Sequence, residues 1–416
     1  MRIALHTGKG GVGKTTISAA TAIASATSGA RTLLVSTDPA HSIADVLGVS
    51  VHADPTPVAG VDNLWAAQVD TRGRFEQSWS HIRGYLVGVL AARGMAEVQA
   101  EELTVLPGAE ELVALLELRR LAESGDFDAI VVDCAPTGET LRLLALPETV
   151  GFYAQRLLGA PQRVLRSIAA SLTGLPGGAP NSTVRDALGD LLAELMAARA
   201  LLADPAITGV RLVLTPERVV VAEARRLFTA LSLHGFRVEA VTVNRLLPPH
   251  VGGEFLRRQR EGQREAMTQV VESFQGLPIR RVLQSPVEPI GIEQLSEMAA
   301  TIFESADPLE STGTPVNIEV SGSDGWYRLA LPLPLAERGD IALSRSGADL
   351  VVTVGDVRRR IALPSVLQRC TTEGASFEHG RLIIDFAADP ALWPASLVQS
   401  AENPADEFKA PLVGAG

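Results

Sequence analysis

The sequence predicts an α/β chain: a doubly wound, mostly parallel sheet with an inserted helical subdomain, followed by an all-β sandwich. Three observations predict it. An apolar start, Met1 to Leu5, runs directly into the glycine-rich stretch GKGGVGKTT at residues 8–16, and a helix-forming segment follows. Short apolar runs closed by polar residues then alternate with helical stretches as far as residue 305, the pattern of a parallel sheet with crossover helices. Beyond Asp307 the helical pattern stops, and short segments alternating apolar with polar, punctuated by Gly and Asp, replace it.

Gly8, Gly13, Lys14 and Thr15 fit the spacing G-x-x-x-x-G-K-[ST]. Glycines at these places let the backbone turn so that successive N–H groups face phosphate oxygens, and the helix that follows adds the positive end of its dipole. Gly8, Gly10, Gly11, Val12, Gly13, Lys14, Thr15 and Thr16 are the expected nucleotide-binding residues, with ATP and Mg²⁺ as cofactors. Lys14 is expected to meet the β- and γ-phosphates, and the Thr15 hydroxyl to ligate Mg²⁺. Thr15–Ser28 is small and apolar without proline and ends at Gly29, a helix stop. Arg31–Ser36 is a short apolar run suited to a buried strand. Together they form a βαβ unit.

The stretch DPAHSIAD at 38–45 follows the second strand at its carboxyl end, where open α/β sheets place their sites. Asp38 is placed to orient or deprotonate an attacking water. Pro39, His41, Ser42 and Asp45 are read as switch residues beside it. Asp128–Asp133 is a further buried strand, and an acid closing it, Asp133, is the Walker B arrangement that holds Mg²⁺ directly or through water. The loop after it, with Pro136, Thr137 and Gly138, is placed to sense the γ-phosphate and move when it leaves. Helical insertions are expected at about 73–125 and 148–204, the second interrupted by a Gly/Pro-rich loop from residue 175. Apolar faces are read at Leu112, Leu115, Leu116, Leu118 and Leu121 and at Leu188, Leu191, Leu192, Leu195 and Leu202. Core packing is the plain reading of the latter face, and reception of an apolar client the functional one.

Val210–Thr215, Arg237–Asn244 and Ile279–Leu283 complete the predicted sheet, with helices at Glu217–His234, 253–275 and Gly291–Ser305. Asn244, at a strand's carboxyl end, is expected to present its amide to adenine. The domain reading is 1–307 for the ATPase, 308–314 as linker, 315–388 as sandwich, and 389–416 as a disordered tail. Sandwich strands are expected at Asn317–Val320, Trp326–Leu331, Ile341–Ser344, Leu350–Val354, Arg359–Leu363 and Leu382–Phe386.

Composition excludes several classes. A net charge of −11 argues against a nucleic-acid footprint. The arginines at 257, 258, 260 and 264 lie among glutamates and read as a solvated helix face; Arg358–Arg360 read as a solvent-facing turn or edge strand. No apolar run approaches the ~20 residues of a membrane span, so stable membrane insertion is not expected. Two distant cysteines, Cys134 and Cys370, exclude a disulfide framework and point to a cytoplasmic setting.

The early Lys9 gives the loop the form K-G-G-x-G-K-[ST], which resembles the deviant phosphate loop of the MinD/ArsA/nitrogenase-iron-protein ATPases. Taken with STDPAHSIAD at 36–45, VVDCAPTGETLRLLALP at 131–147, TPE at 215–217, VNRLLP at 243–248 and EPIGIEQL at 288–295, residues 1 to about 305 resemble the ArsA/Get family of arsenite-pump ATPases and tail-anchored-protein targeting factors. Residues 315–388 are similar to a small-heat-shock-protein (α-crystallin) sandwich found on one branch of that family. The resemblance implies a homodimer with nucleotide at its interface, Lys9 acting in trans, Asp38 acting on water, Asn244 on adenine, and a hydrophobic protein segment or apolar ligand as client. The sequence also departs from the family. Glu139 stands where arsenite pumps carry a metalloid-binding histidine, no cysteine pair or C-x-x-C motif exists, there is one ATPase half, and the adenine-packing proline is replaced near Leu283. An arsenite-pump ATPase and a chaperone-like module with structural nucleotide are the competing readings. A partitioning ATPase lacks its membrane-binding or basic end, and an iron protein lacks its cluster cysteines.

Overall fold

The computed structural model describes residues 1–38, 42–69, 109–138, 140–141, 144–145, 182–250, 252–304, 306–312 and 317–393, with 109–112 and 182–192 described as backbone only. Pro39, His41, Glu139, most of both expected helical insertions and the tail from residue 394 lie outside them.

The first unit is built on eight strands: β1 (Arg2–Thr7), β2 (Thr32–Ser36), β3 (Thr56–Pro57), β4 (Leu64–Gln68), β5 (Ala129–Asp133), β6 (Thr208–Leu214), β7 (Val238–Leu246) and β8 (Ile279–Leu283). Their order is β3-β4-β2-β5-β1-β6-β7-β8, all parallel except β3 against β4. The predicted doubly wound sheet is therefore present. The chain moves from β1 past β5 to β2 and later returns to β6 on the other side, so the winding direction reverses around β1.

The helices are α1 (Lys14–Thr27), α2 (Ser42–Leu47), α3 (Ala109–Glu123), α4 (Ser182–Ala203), α5 (Arg218–Leu233), α6 (Glu254–Ser273) and α7 (Ile292–Phe303). The small residues Ala19, Ala20, Ala22 and Ala26 let α1 lie close on the sheet, in one core with Leu34, Ile43, Leu64, Val131 and Leu295. Gly29, at φ 99°, ends α1 as expected. On α3, Leu115, Leu118 and Leu121 are buried, and on α4 Leu195 and Leu202. These residues pack in the core, whereas Leu116 is only partly buried. On α6, Arg258 pairs with Glu254 at 2.9 Å and Arg264 with Glu261 at 3.4 Å, all well exposed, the solvated face read from sequence.

Strand β4 is an addition to the sequence reading. LWAAQ holds no β-branched residue, and its strand state comes from parallel pairing with β2 in register Thr32↔Leu64 to Ser36↔Gln68. A charge in the sheet core is also a tertiary product. Glu239, fully buried on β7, receives Arg2 at 2.7 Å, Arg211 at 3.0 Å and Arg237 at 3.3 Å. A Cβ at Gly209 on β6 would overlap that carboxylate, so the glycine makes its room. The stretch after α7 is fastened to the same cluster: Arg211 donates to the Pro308 carbonyl, Arg237 to Ser311 Oγ at 2.6 Å, and Thr312 to the Glu239 carbonyl at 2.5 Å.

The second unit comprises Arg225–Gly235 and Pro315–Gly416. Its strands are β9 (Glu319–Ser323), β10 (Trp326–Pro332), β11 (Ile341–Ser346), β12 (Asp349–Val354), β13 (Val357–Ala362), β14 (Cys370–Glu378) and β15 (Arg381–Ala388), with a short helix α8 (Ser365–Gln368). They form antiparallel sheets ordered β14-β15-β10-β9 and β11-β12-β13 around Leu329, Leu331, Leu350, Val352, Ile384 and Phe386, the predicted all-β architecture. Strand β14 escapes the sequence pattern because Thr371–Ala375 are exposed and the ladder is irregular between Thr372 and Gly374. Leu233 from the end of α5 enters this core, and Thr229 donates to the Pro334 carbonyl at 2.6 Å. Strand β13 is an edge, as read from its arginines, yet Arg359 turns inward and donates to the Leu233 carbonyl at 2.5 Å.

Candidate functional site

Register brings the expected site residues level. His6 on β1 and Ser36 on β2 both stand beside Asp133 on β5, so Gly8, Asp38 and the loop after Asp133 leave the sheet together at its carboxyl edge. Backbone bonds join these exits: Thr37 N–H donates to the Asp133 carbonyl at 3.0 Å and Cys134 N–H to the His6 carbonyl at 3.1 Å.

The glycine loop runs from Gly8 to Gly13. Gly10 and Gly11 are exposed, whereas Val12 is buried and holds the loop down. Gly13 caps α1 in the left-handed region at φ 91°, with no side chain capping the helix and no acid in its first turn. The first-turn N–H groups and the positive helix end are thereby left facing the loop. Lys14, the first helical residue, is buried. A Cβ at Gly8 would overlap the Val213 carbonyl oxygen on β6, and one at Gly13 the Asn244 side-chain amide. Gly8→Ala is therefore expected to displace the loop from β6, lowering the melting temperature by several degrees and weakening nucleotide binding at least about tenfold. Thermal melts with and without ATP check this; wild-type behaviour in both contradicts it.

Thr15 Oγ1 donates to Asp133 Oδ2 at 2.8 Å and lies 3.3 Å from Ser42 Oγ on α2. Asp133 is fully buried, and its other oxygen, Oδ1, has no hydrogen-bond partner. Its carboxyl is pushed up to about 7, first by burial, against the Thr15 hydrogen bond and the Lys14 charge, which favour ionisation. A buried carboxylate with one bare oxygen, the Thr15 hydroxyl on its other oxygen and the Ser42 hydroxyl next to Thr15 together offer hard oxygen donors, and these fit Mg²⁺. The raised value has a sign. Between about pH 4 and 7 the folded chain retains a proton that the unfolded chain has lost, so stability falls as pH rises through that window. Asp133→Asn removes this dependence. Without nucleotide or metal, its melting temperature is expected to gain on wild type by roughly 5 °C from pH 5 to 8; parallel curves for the two proteins would contradict the assignment.

Asp38 follows with a braced backbone: its N–H donates to Ser36 Oγ at 3.1 Å, and Gln68 Nε2 donates to its carbonyl at 2.8 Å. Asp45 is exposed on α2. Pro136 is half-buried, while Thr137 and Gly138 are already helical where the sequence suggests only a loop, because Thr140 N–H closes a turn on the Pro136 carbonyl at 3.2 Å. The Thr140 hydroxyl donates to the Ala135 carbonyl at 2.6 Å and accepts from Thr7 at 3.1 Å, which ties this turn to β1. Lys9 Nζ lies 3.5 Å from Glu223 Oε2 on α5. Asn244 is engaged with the loop: its amide nitrogen donates to the Val12 carbonyl at 2.9 Å, and its oxygen accepts from Arg245 N–H at 2.9 Å. It also borders a cavity of ≈ 270 Å³ with Gly13, Thr16, Leu283, Pro289 and Met298. A proline thus borders the cavity from a position later than Leu283.

Gln68, Thr140 and Glu223 were not anticipated. Each acts across elements far apart in sequence; Thr140 lies within the quoted stretch 131–147 without being singled out there, and no motif marks Gln68 or Glu223. Cys134 is buried and burial pushes its thiol up. Among the described residues there is no cluster of three or more His, Cys, Asp or Glu side chains to hold a metal, and no helix long and apolar enough to cross a membrane.

Comparison with known sequences agrees with this geometry. The profile of the anion-transporting ATPases (ArsA) matches residues 1–304, and that of the HSP20-like domain found in ArsA matches 324–386. A Chlorobaculum tepidum protein, provisionally named an arsenical pump-driving ATPase, is 34% identical over 390 residues, 93% of this chain and 96% of its own. Protein Rv2184c of Mycobacterium tuberculosis is 36% identical over 421 aligned residues, covering 94% and 97%. A second type of relative, from Aquifex aeolicus and given a similar pump-driving name, is 28% identical over 303 residues, 72% of this chain but 98% of its own. The glycine loop opening α1, the Thr15–Asp133 pair and a match across the whole first unit lead to one conclusion: this chain belongs to the anion-transporting ATPase (ArsA) family, a family of ATP hydrolases, and carries that family's HSP20-like C-terminal domain.

Proposed function

We propose that the protein is a Mg²⁺-dependent, ATP-switched homodimer that handles a hydrophobic protein segment or other apolar client. The observation that supports the nucleotide part of this reading is the set of Thr15, Ser42 and Asp133 oxygens, with its unpartnered buried Asp133 Oδ1, beside a glycine loop and the uncapped start of α1; the dimer and the client rest on the family resemblance. In this reading Lys14 and the loop N–H groups bind the β- and γ-phosphates of ATP. Thr15, Ser42 and Asp133 hold Mg²⁺, which when bound neutralises charge developing on the phosphates. Asp38 orients the attacking water from a backbone fixed by Ser36 and Gln68, and Lys9 stabilises charge on the nucleotide of a partner subunit. The turn at Pro136–Gly138 follows the γ-phosphate, and the cavity beside Asn244 receives the base. Phosphoryl transfer to water needs only this positioning and charge stabilisation.

The pump-driving names of the relatives favour a second reading, an ATPase coupled to arsenite or another anion. Soft As(III) binds thiolates. Cys134 is buried with its thiol pushed away from the thiolate form, and Cys370 lies in the other unit. The deciding experiment compares Asp38→Asn, held with ATP, against wild type with ADP, using photocrosslinking to a radiolabelled apolar helix peptide, and assays wild-type ATPase with and without arsenite. ATP-dependent crosslinking of the peptide and an arsenite-independent rate are expected. A several-fold rise with arsenite that disappears in Cys134→Ser, with no crosslinking, would replace this reading by the second.

A further inference from the structure

Glu223 belongs to no motif of the site, yet it touches two of the site's loops. Its Oε2 lies 3.5 Å from Lys9 Nζ in the glycine loop, and its Oε1 accepts from the Thr137 hydroxyl at 3.1 Å in the turn after Asp133. Val220, Val221 and Ala224 are buried around it on α5, so the helix fixes where the carboxylate stands. The ion pair itself is half open to solvent, with side chains 39% and 27% exposed. Such a pair is weak and readily exchanged for a stronger anion. A lysine that acts on another subunit's nucleotide cannot at the same time remain bound to its own subunit's carboxylate.

We infer that Glu223 is a positioning residue: it holds Lys9 against its own subunit until a partner's nucleotide takes the lysine over. This rests on the reading of Lys9 as acting in trans. A polyphosphate carries more charge than one carboxylate, so the exchange runs toward the nucleotide once two subunits meet, and away from it after phosphate has left. The same carboxylate binds Thr137, so the turn that follows the γ-phosphate and the lysine that reaches across share one holder. Departure of Lys9 leaves Glu223 with Thr137 alone, and the two loops become coupled through a single side chain.

Glu223→Gln tests this, because glutamine keeps an acceptor for Thr137 and loses the charge that holds Lys9. ATPase rate is measured against protein concentration for wild type, Glu223→Gln, Lys9→Ala and the double variant, with ATP-dependent dimer formed at each concentration read by sedimentation. Thermal melts confirm that all four proteins are folded. Glu223→Gln is expected to lower the protein concentration for half-maximal activity and for dimer formation roughly two- to fivefold, the size of an exposed ion pair. Its rate at saturation stays within about twofold of wild type, and in the Lys9→Ala background the substitution changes neither quantity. An unchanged half-maximal concentration in Glu223→Gln, while Lys9→Ala alone slows turnover, overturns the inference and leaves the role of Lys9 intact. A saturated rate as low as that of Lys9→Ala also overturns it, since Glu223 would then be required in the closed state. If Lys9→Ala turns over like wild type, the reading of Lys9 in trans fails, and this inference with it.

Discussion

Lys14→Ala is expected to abolish measurable nucleotide binding, weakening affinity by about 10²–10³-fold or more. Lys14 is buried at the first position of α1, where its ammonium adds to the positive end of the helix and lies close enough to Asp133 to favour that carboxylate's ionisation. Removal of one partner from a buried charge pair is costly because the other charge stays desolvated without compensation. Two losses therefore combine: the phosphates lose their fixed cation, and Asp133 is driven further toward its protonated form, a poorer ligand for Mg²⁺. Arginine is a weak substitute in so closed a position, since a planar fork does not fill the place of a compact ammonium. Titration calorimetry with a non-hydrolysable ATP analogue reads the effect, and a melting curve without nucleotide shows the fold intact. Affinity within a few-fold of wild type would remove Lys14 from the site.

Lys9→Ala is expected to behave differently, with binding largely kept and hydrolysis slowed by ~10³-fold or more, as for other cations supplied to a phosphoryl group from outside its own loop. Lys9 is partly exposed and bonded sideways to Glu223, whereas Lys14 is buried at the helix start. Mixing subunits separates action in trans from action in cis. When Lys9→Ala is combined with Asp38→Asn, a mixed dimer acting in trans contains one site with an intact Asp38 and an intact Lys9 from its neighbour. Its other site carries both defects. Activity should then recover toward half of wild type per mixed dimer. If Lys9 acts within its own subunit, every site has one defect, and no mixing ratio restores turnover. Loss of binding in Lys9→Ala as severe as in Lys14→Ala would erase the division of roles.

The sequence by itself determined the parts of this protein that are local. A phosphate loop is a run of backbone dihedral angles, and the glycines that permit them must lie at fixed spacings: Gly11 and Gly13 occur with φ of 80° and 91°. Buried parallel strands are largely apolar runs, so β1, β2, β5, β6 and most of β7 were legible, together with Asp133 at the end of β5 and Asn244 two residues before the end of β7; β8, with only Val282 buried, was marked by its place after a helix. Tertiary structure alone decided what crosses between distant segments. It made LWAAQ a strand by pairing it with β2, which sets Gln68 under Asp38. It extended the second sheet with β14, whose exposed, irregular ladder leaves little periodicity to read. It gathered three arginines on Glu239, and it spread the buried residues of α5 over two cores. It also gave Lys9 its acid, more than two hundred residues away in the chain. The physical reason is the same throughout: periodicity and glycine spacing report which residues are buried and which dihedrals are reachable, whereas the partner of a buried or bridging polar group is chosen by the register of strands and the path of crossover helices, and neither has a local signature.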